Sequence, residues 1–237
     1  MFRDSLERWL LDSEMHFSIQ VLINNAGILA TSSRQTAEGY DMMMFTNYLG
    51  PFFLTKLLLP LLKNSPSGSR IVNVTSFTHR SLFNVQVDKA SVSGTTYNTM
   101  KQYPYAHIYE YSKLCVLLFT YQLKKVISMD DNLHSKVAVM AADPGAVKTL
   151  IMREIPAILS CVAYEVLNKL GLLQEPMIGM RCIVDAAFAP PEASGKCFFG
   201  GEGRTLPSSS LSCDETLAEK LWETSSDLLM EVEDKFN

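Results

Sequence analysis

The sequence predicts a doubly wound α/β domain built on a parallel sheet, and three observations lead to that prediction. Four short apolar runs, each bounded by turn-forming residues, alternate with longer segments of helical periodicity. All four runs are apolar throughout, which is typical of parallel strands covered by helices on both faces of the sheet. The 237 residues, 47% of them hydrophobic, suffice for one domain over 1–237 with a sizeable core.

The first half of the sequence supplies two of the strands and the helices around them. Residues 3–15 carry apolar side chains at helical spacing with charges between them, which predicts an amphipathic helix. The run QVLINNAG predicts a buried strand at about 20–24, and RIVNVTS predicts a second strand at 70–76. Residues 36–62 have helical periodicity, and we expect Pro51 to kink that helix because proline lacks a backbone N–H.

The second half continues the same alternation. Residues 77–105 are polar and irregular, and a connection of that length predicts a functional loop. A long helix is expected over 107–128, followed by a buried strand at 137–142. The remaining predicted elements are helices at about 157–171 and 176–188, a glycine-bounded strand within 195–201, and a last helix opened by a capping box, Ser212-x-x-Glu215, with Leu217, Leu221 and Leu228 on its inner face.

Charge and composition exclude several functional classes. The net charge is −4 and no long run of Lys or Arg occurs, so we expect no nucleic-acid partner. Five widely spaced cysteines and four histidines without ligand spacing predict neither a disulfide framework nor a metal site, which favours a reducing, cytoplasmic location. No apolar run is long enough to span a membrane, but IPAILSCVAYEVLNKLGLL suits peripheral contact with an organelle membrane as an alternative.

The first hint of catalytic chemistry is the pattern Tyr-x-x-x-Lys. On a helix these two side chains share a face, and a Lys ammonium beside a Tyr favours the phenolate and lowers its pKa. We prefer the pair that opens the helix over 107–128, because it lies nearest the carboxyl ends of the strands, where such sheets bind ligands. The three occurrences are Tyr97–Lys101, the preferred Tyr109–Lys113, and Tyr121–Lys125.

Five motifs stand in the order that they have in one known family, and together they cover nearly the whole chain. They are Asn24-Asn25-Ala26-Gly27, Asn47 in TNYLG, Ser76 in RIVNVTS, Tyr109-x-x-Ser112-Lys113, and Pro144-Gly145-x-Val147-x-Thr149. With them the sequence resembles a classical short-chain dehydrogenase/reductase of the retinol-dehydrogenase-like branch. The resemblance implies a Rossmann-like fold and hydride transfer between NADP, or NAD, and a small-molecule alcohol or carbonyl.

The resemblance also implies a role for each matching residue. Tyr109 is the implied general acid or base, and Lys113 the group that lowers its pKa and binds the nicotinamide ribose. Ser76 is implied to hold the substrate oxygen, and Asn47 to hold a water in a proton relay behind Lys113. The implied cofactor contacts are Asn24, Ala26 and Gly27 on the adenosine side, and Pro144, Gly145, Val147 and Thr149 at the nicotinamide end, together with Tyr109 and Lys113. Taken singly, each of these motifs also has a purely structural explanation.

The sequence departs from the family's pattern at its beginning. The family opens with a strand and a Thr-Gly-x-x-x-Gly-x-Gly loop that binds the pyrophosphate, whereas this sequence has no glycine before Gly27. We therefore expect an N-terminally incomplete domain that lacks the first three strands, with cofactor binding weakened or lost and the NNAG strand at the sheet edge. The later Gly-Gly-x-Gly at 200–203 follows the last strand and predicts a loop.

Two hypotheses of different class thus remain open. The first is an NAD(P)-dependent oxidoreductase, whose substrate we expect to be lipophilic because residues 150–176 should cover the substrate pocket. Apolar side chains in that cover are Ile151, Ile155, Leu159, Val162 and Leu172. The alternative is a catalytically inactive relative, either an interaction or regulatory protein or an unstable fragment. In either case the exposed sheet edge favours a homo-oligomer in which a second chain covers it.

Overall fold

A parallel four-stranded sheet forms the centre of the molecule. The structure, a computed structural model, describes residues 18–130 and 137–236, and the helix predicted over 3–15 lies outside them. Its strands are β1 (Val21–Asn24), β2 (Ser69–Val74), β3 (Val137–Asp143) and β6 (Cys197–Phe199). They lie in the order β1-β2-β3-β6, and all neighbouring strands are parallel. The predicted doubly wound α/β architecture is confirmed.

Helices cover both faces of this sheet. The larger core lies on the side of the long helix and includes Tyr48, Phe52 and Leu114, while a smaller core with Val72 and Met140 lies on the other side. The α-helices are α1 (Gly50–Lys63), α2 (Lys89–Ser93), α3 (Tyr105–Met129), α4 (Ala157–Lys169), α5 (Pro176–Gly179), α6 (Arg181–Ala187) and α7 (Glu215–Phe236). None of the helices within the described ranges is both long enough and apolar enough to cross a membrane.

The segment before α1 differs from the prediction. The helical segment before α1 begins with the α-helical turn Met42–Met44 and not near residue 36. The reason is that the Asp41 side chain accepts hydrogen bonds from the backbone N–H groups of Met43 and Met44. A π-helical turn, Phe45–Leu49, then precedes α1. Pro51 is the second residue of α1 and closely follows the π-helical turn, so the departure from a regular α-helix lies in the turn that precedes the proline.

Several other boundaries also correct the sequence prediction. The connection over 77–105 is not irregular throughout, since it contains α2 and the 3₁₀ turns Phe77–Ser81 and Thr95–Thr99. The helix expected at 176–188 is divided into α5 and α6. A small parallel sheet of β4 (Ala146–Val147) and β5 (Leu173–Gln174) was not predicted, because two-residue strands leave no periodic pattern.

The predicted cap of the last helix was wrong by two residues. The side chain of Asp214, not that of Ser212, accepts the backbone N–H of Leu217 at 3.0 Å. Ser212 is occupied in the preceding 3₁₀ turn, where its hydroxyl donates to the Ser209 carbonyl. The predicted inner face of this helix is confirmed, since Leu221 and Leu228 are buried.

Within the described sheet, β1 is an edge strand that pairs only with β2. Its Leu22 packs on the larger core, whereas Val21 and Ile23, on the opposite face, are 39% and 44% exposed. Parallel strands are usually covered on both faces. The expected position of the NNAG strand at the edge, with an uncovered apolar face, thus agrees with the structure.

Candidate active site

The carboxyl ends of the first three strands bring most of the predicted catalytic residues together. Gly27 follows β1, Ser76 follows β2, and Tyr109 and Lys113 lie one turn apart near the start of α3. A Cβ atom placed on Gly27 would lie 3.4 Å from Lys113 Nζ and 3.6 Å from Asn47 Oδ1. The Lys113 ammonium lies 5.7 Å from the centre of the Tyr109 ring.

The π-helical turn fixes the side chain of Asn47. Its Oδ1 accepts the Ile28 N–H at 2.8 Å, and its Nδ2 donates to the Ile28 carbonyl and to Ser112 Oγ, both at 3.0 Å. These hydrogen bonds hold the loop after β1 against the π-helical turn and α3. Because the amide is buried and bonded on both sides, Asn47 is held in one orientation beside Gly27.

Lys113 is a buried ammonium at the centre of the site. It is only 3% exposed, and its Nζ donates to the Val74 carbonyl at 3.1 Å. Burial lowers its pKa to about 8, and the nearby Asp143 carboxylate partly opposes that shift. An ammonium has three N–H groups, so those not used by Val74 are suited to hydroxyl groups of a ribose.

Tyr109 and Ser76 form the second half of the site, and the pKa of Tyr109 differs from the expectation. Burial raises that pKa to about 12, and a hydrogen bond with the Ser76 side chain only partly opposes this. The reason is geometric, since Lys113 lies over the ring and directs a proton at Val74. The expectation that the lysine lowers the pKa of Tyr109 is therefore wrong for this arrangement of the two side chains.

The residues fit the nicotinamide–ribose half of a dinucleotide. A Cβ atom on Gly27 would contact Lys113 and Asn47 at ordinary van der Waals distance, so a side chain at this position would cover the Lys113 ammonium. The protonated Lys113 supplies buried donors there. Among the described residues no glycine-rich loop that could bind the pyrophosphate precedes Gly27.

The other expected cofactor residues have varied surroundings. Asn24 is buried, and its Nδ2 donates to Thr55 Oγ1 at 3.0 Å and to Asn73 Oδ1 at 2.7 Å, so this side chain serves the interior. Ala26 is exposed in the loop after β1. Val147 packs against α5, where a Cβ on Gly179 would lie 2.4 Å from it.

The Pro144–Gly145 turn follows β3 and continues into the segment that carries Thr149. Gly145 has φ +74°, which favours glycine, and its N–H donates to Asp143 Oδ1 at 2.9 Å. Thr149 caps a 3₁₀ turn by accepting the Ile151 N–H, and its carbonyl accepts the Tyr164 hydroxyl. These bonds fix the conformation of the segment that follows β3.

Four polar residues at the site were not identified from the sequence. Ser112 links Asn47 to the Tyr109 carbonyl, Thr75 Oγ1 donates to the Lys113 carbonyl, and the buried Asp143 and His79 lie behind the turns after β3 and β2. Only the position of Ser112 inside the Tyr109–Lys113 motif could have indicated its role. Across the described residues, no group of three His, Cys, Asp or Glu could hold a metal ion.

The two other Tyr-x-x-x-Lys pairs lie elsewhere. Tyr97 belongs to the 3₁₀ turn that follows α2, and its Lys101 is exposed. Tyr121 bonds Ser208 at 2.7 Å, and Lys125 forms an ion pair with Glu215 at 3.0 Å. Of the three pairs, all within the described residues, only Tyr109–Lys113 places its lysine over its own tyrosine ring, so the choice of this pair rests on position as well as pattern.

The sheet, the crossover helices and the polar groups at the strand ends define a Rossmann-like α/β domain. Comparison with protein families gives the same class, because the family described as short chain dehydrogenase matches residues 11–158. This chain belongs to the short-chain dehydrogenase/reductase family.

Known relatives and solved structures agree with this assignment. Polyprenol dehydrogenase of Mus musculus is 34% identical over 208 residues, covering 86% of this chain and 58% of its own. Retinol dehydrogenase 14 of Homo sapiens is 32% identical over 210 residues, covering 87% and 57%. The chain thus spans less than two thirds of the length of these relatives.

Two crystal structures show the same fold. An uncharacterized protein from Mycobacterium Paratuberculosis has 26% identity and a TM-score of 0.62, with 96% of this chain and 72% of that one covered. NADPH-bound carbonyl reductase from chicken fatty liver has 19% identity and a TM-score of 0.53, with 86% and 70% covered. At this identity the second comparison supports the fold alone.

Proposed function

We propose that this chain is an NAD(P)-dependent oxidoreductase that transfers a hydride between a nicotinamide and an alcohol or carbonyl group. The observation that carries the proposal is a series of contacts between the residues of the site. Gly27 lies against Lys113 and Asn47, Lys113 lies over the ring of Tyr109, and Tyr109 lies beside the Ser76 side chain. When bound there, a nicotinamide would supply or accept the hydride at the reacting carbon. NADP is the preferred cofactor, with NAD as the alternative.

The residues of this chain handle the proton and the oxygen. Tyr109 would give its phenolic proton to the substrate oxygen in reduction and take it back in oxidation. Ser76 Oγ, which bonds Tyr109, would orient that oxygen and stabilise its developing charge. Lys113, held by Val74, would favour the phenolate once ribose hydroxyls bring its charge closer to the phenol. Asn47 would hold a water molecule that supplies a new proton to Lys113.

The substrate that we propose is a lipophilic alcohol, aldehyde or ketone. Apolar side chains of α4 and the segment after it face solvent, with Leu159 and Val162 each 56% exposed and Leu172 54% exposed, and they would be available to an apolar substrate. The names of the relatives, polyprenol and retinol dehydrogenases, support an apolar substrate. The segments LINNAGILATSS and AADPGAVKT resemble those of the plant FOREVER YOUNG oxidoreductase, which we propose as a near relative.

The experiment is a hydride-transfer assay followed by NADPH or NADH absorbance. Long-chain and isoprenoid aldehydes serve as substrates for the wild type, Tyr109→Phe and Tyr121→Phe. We expect turnover by the wild type and by Tyr121→Phe, and a loss of about 10²–10⁴-fold in Tyr109→Phe because the proton donor is gone. Full turnover by Tyr109→Phe would overturn the assignment of this tyrosine, and no turnover by any form would favour the alternative below.

The alternative function is that of an interaction or regulatory protein without catalysis. The observation that favours it is the edge strand β1, whose Val21 and Ile23 leave an apolar face exposed. A second copy that packs against this face would cover it and give a homo-oligomer. Light scattering after size-exclusion chromatography tests this, because Ile23→Lys should dissociate the oligomer, and a monomeric wild type would reject it.

We propose that the protein lies in the cytoplasm. The alternative that we propose is peripheral contact with an organelle membrane. The face of α4 supports membrane contact, since Ile158 is 79% exposed and Val166 is 49% exposed. Co-sedimentation with vesicles of neutral and anionic phospholipids tests it. Binding that is lost in Ile158→Asp would support the contact, whereas a wild type that stays in the supernatant would reject it.

A further inference from the structure

The buried imidazole of His79 makes two hydrogen bonds that connect the serine of the site to a distant loop. His79 lies in the 3₁₀ turn Phe77–Ser81 directly after β2 and is fully buried. Its Nδ1 lies 2.6 Å from the carbonyl oxygen of Ser76. Its Nε2 accepts the backbone N–H of Ser209 at 3.2 Å.

These partners assign the protonation state of the ring. The Ser209 N–H can only donate, so Nε2 is the acceptor and carries no proton. The Ser76 carbonyl can only accept, so Nδ1 carries the proton. Burial lowers the pKa of His79, and the charge of Arg80, the neighbouring residue, acts in the same direction, against a hydrogen bond to Ser76 that raises it. The ring is therefore neutral and protonated at Nδ1.

The bond from Nδ1 acts on the residue that we place at the substrate oxygen. The Ser76 carbonyl accepts both the ring Nδ1–H and, at 3.2 Å, the backbone N–H of His79. Two donors from one residue fix the peptide group of Ser76. The Oγ of Ser76 accepts a hydrogen bond from Thr78 Oγ1 at 3.2 Å and is also hydrogen-bonded to Tyr109. The backbone that carries this hydroxyl is thus held from behind by a group that does not touch the reacting atoms.

We propose that His79 is a positioning residue for catalysis, whose Nδ1–H bond to the Ser76 carbonyl sets the place of the Ser76 hydroxyl. This inference rests on the proposed oxidoreductase function. The bond to Ser209 has a separate purpose, namely anchoring the loop before α7. Loss of the Nδ1 bond should lower kcat, since an error of about 1 Å in a reacting group costs up to about 100-fold. Loss of the Nε2 bond should lower stability alone.

Two substitutions separate the two bonds. In His79→Asn the amide Nδ2 lies as many bonds from Cα as Nδ1 and can still donate to Ser76, but nothing reaches Ser209. In His79→Gln the amide Oε1 can replace Nε2 as acceptor for Ser209, but the bond to Ser76 is lost. Each variant loses one buried bond, so similar decreases in melting temperature are expected from both. His107→Gln, on the exposed face of α3, is the matched control.

The expected result is a difference in kcat between the two variants. His79→Gln should lose at least about tenfold in kcat with an unchanged Kd for NADPH, whereas His79→Asn should keep most of its kcat. Long-range ¹H–¹⁵N spectra of the wild type should show the Nδ1–H tautomer. Equal kcat values for the two variants, or the Nε2–H tautomer, would overturn the positioning role alone. Absence of wild-type turnover would overturn the proposed function and this role with it.

Discussion

Replacing Lys113 by methionine should stabilise the protein at neutral pH while it abolishes hydride transfer. The ammonium is buried, and its pKa falls from 10.5 to about 8 on folding. At about 1.4 kcal/mol per pKa unit, this difference corresponds to about 3 kcal/mol of lost stability wherever the group is charged in both states. Methionine has similar length and no charge, so Lys113→Met removes that cost.

The net gain is smaller, because other interactions are lost with the ammonium. The Val74 carbonyl loses its donor at 3.1 Å and is left without that partner in the interior, whereas the attraction of Asp143 is already included in the pKa of about 8. The unpaired carbonyl offsets about 1 kcal/mol, which leaves about 2 kcal/mol of net stabilisation at pH 7. For a domain of this size we expect a melting temperature about 4–8 °C higher.

The pH dependence gives the sharper test. Between about pH 8 and 10.5 the unfolded wild type binds more protons than the folded one at this residue, so wild-type stability rises with pH there. The advantage of Lys113→Met should therefore be largest below pH 8 and fade by about pH 10.5. Urea unfolding from pH 6 to 10.5 measures it, with the exposed Lys101→Met as control. A less stable Lys113→Met at pH 7, or a difference that does not change with pH, would refute the reasoning.

Substitutions at three further positions test the fold and the supports of the site, each by urea unfolding. Gly94→Ala should cost about 2–4 kcal/mol, because φ is +76° and its Cβ would lie 2.3 Å from Asp41 Cβ; a smaller loss would mean that the turn relaxes. Asn47→Ala should cost about 2–3 kcal/mol through the unpaired Ile28 groups and also lower turnover. Asp214→Ala should cost about 1 kcal/mol and Asp214→Asn much less, and equal losses would argue against the cap.

The parallel sheet and the grouping of the site could be predicted because both leave repeated patterns in the sequence. Four apolar runs fix four strands, and the motifs at the ends of β1, β2 and β3 meet once those strands are parallel and adjacent. The choice among the three Tyr-x-x-x-Lys pairs followed from the same argument. Position along the sheet thus carried more information than the motif itself.

The features that escaped prediction depend on tertiary contacts. The π-helical turn contains Asn47, whose side chain bonds Ile28 and Ser112, and both of these residues lie far from it in sequence. The pKa of Tyr109 depends on burial and on the direction of the Lys113 ammonium, neither of which a motif specifies. Ser212 and Asp214 are both good capping residues, and only the path of the chain decides between them.

The most direct test of the account is the melting temperature of this chain with and without NADPH or NADH, for the wild type and Gly27→Ala. Ligand at about 100 times its Kd adds about 2.7 kcal/mol, so we expect one nucleotide to raise the wild-type midpoint by about 5–10 °C. Gly27→Ala should melt like the free wild type, since its Cβ meets Lys113 Nζ at an acceptable 3.4 Å, yet it should show little shift with nucleotide. A wild-type midpoint that neither nucleotide moves would contradict the proposed cofactor site.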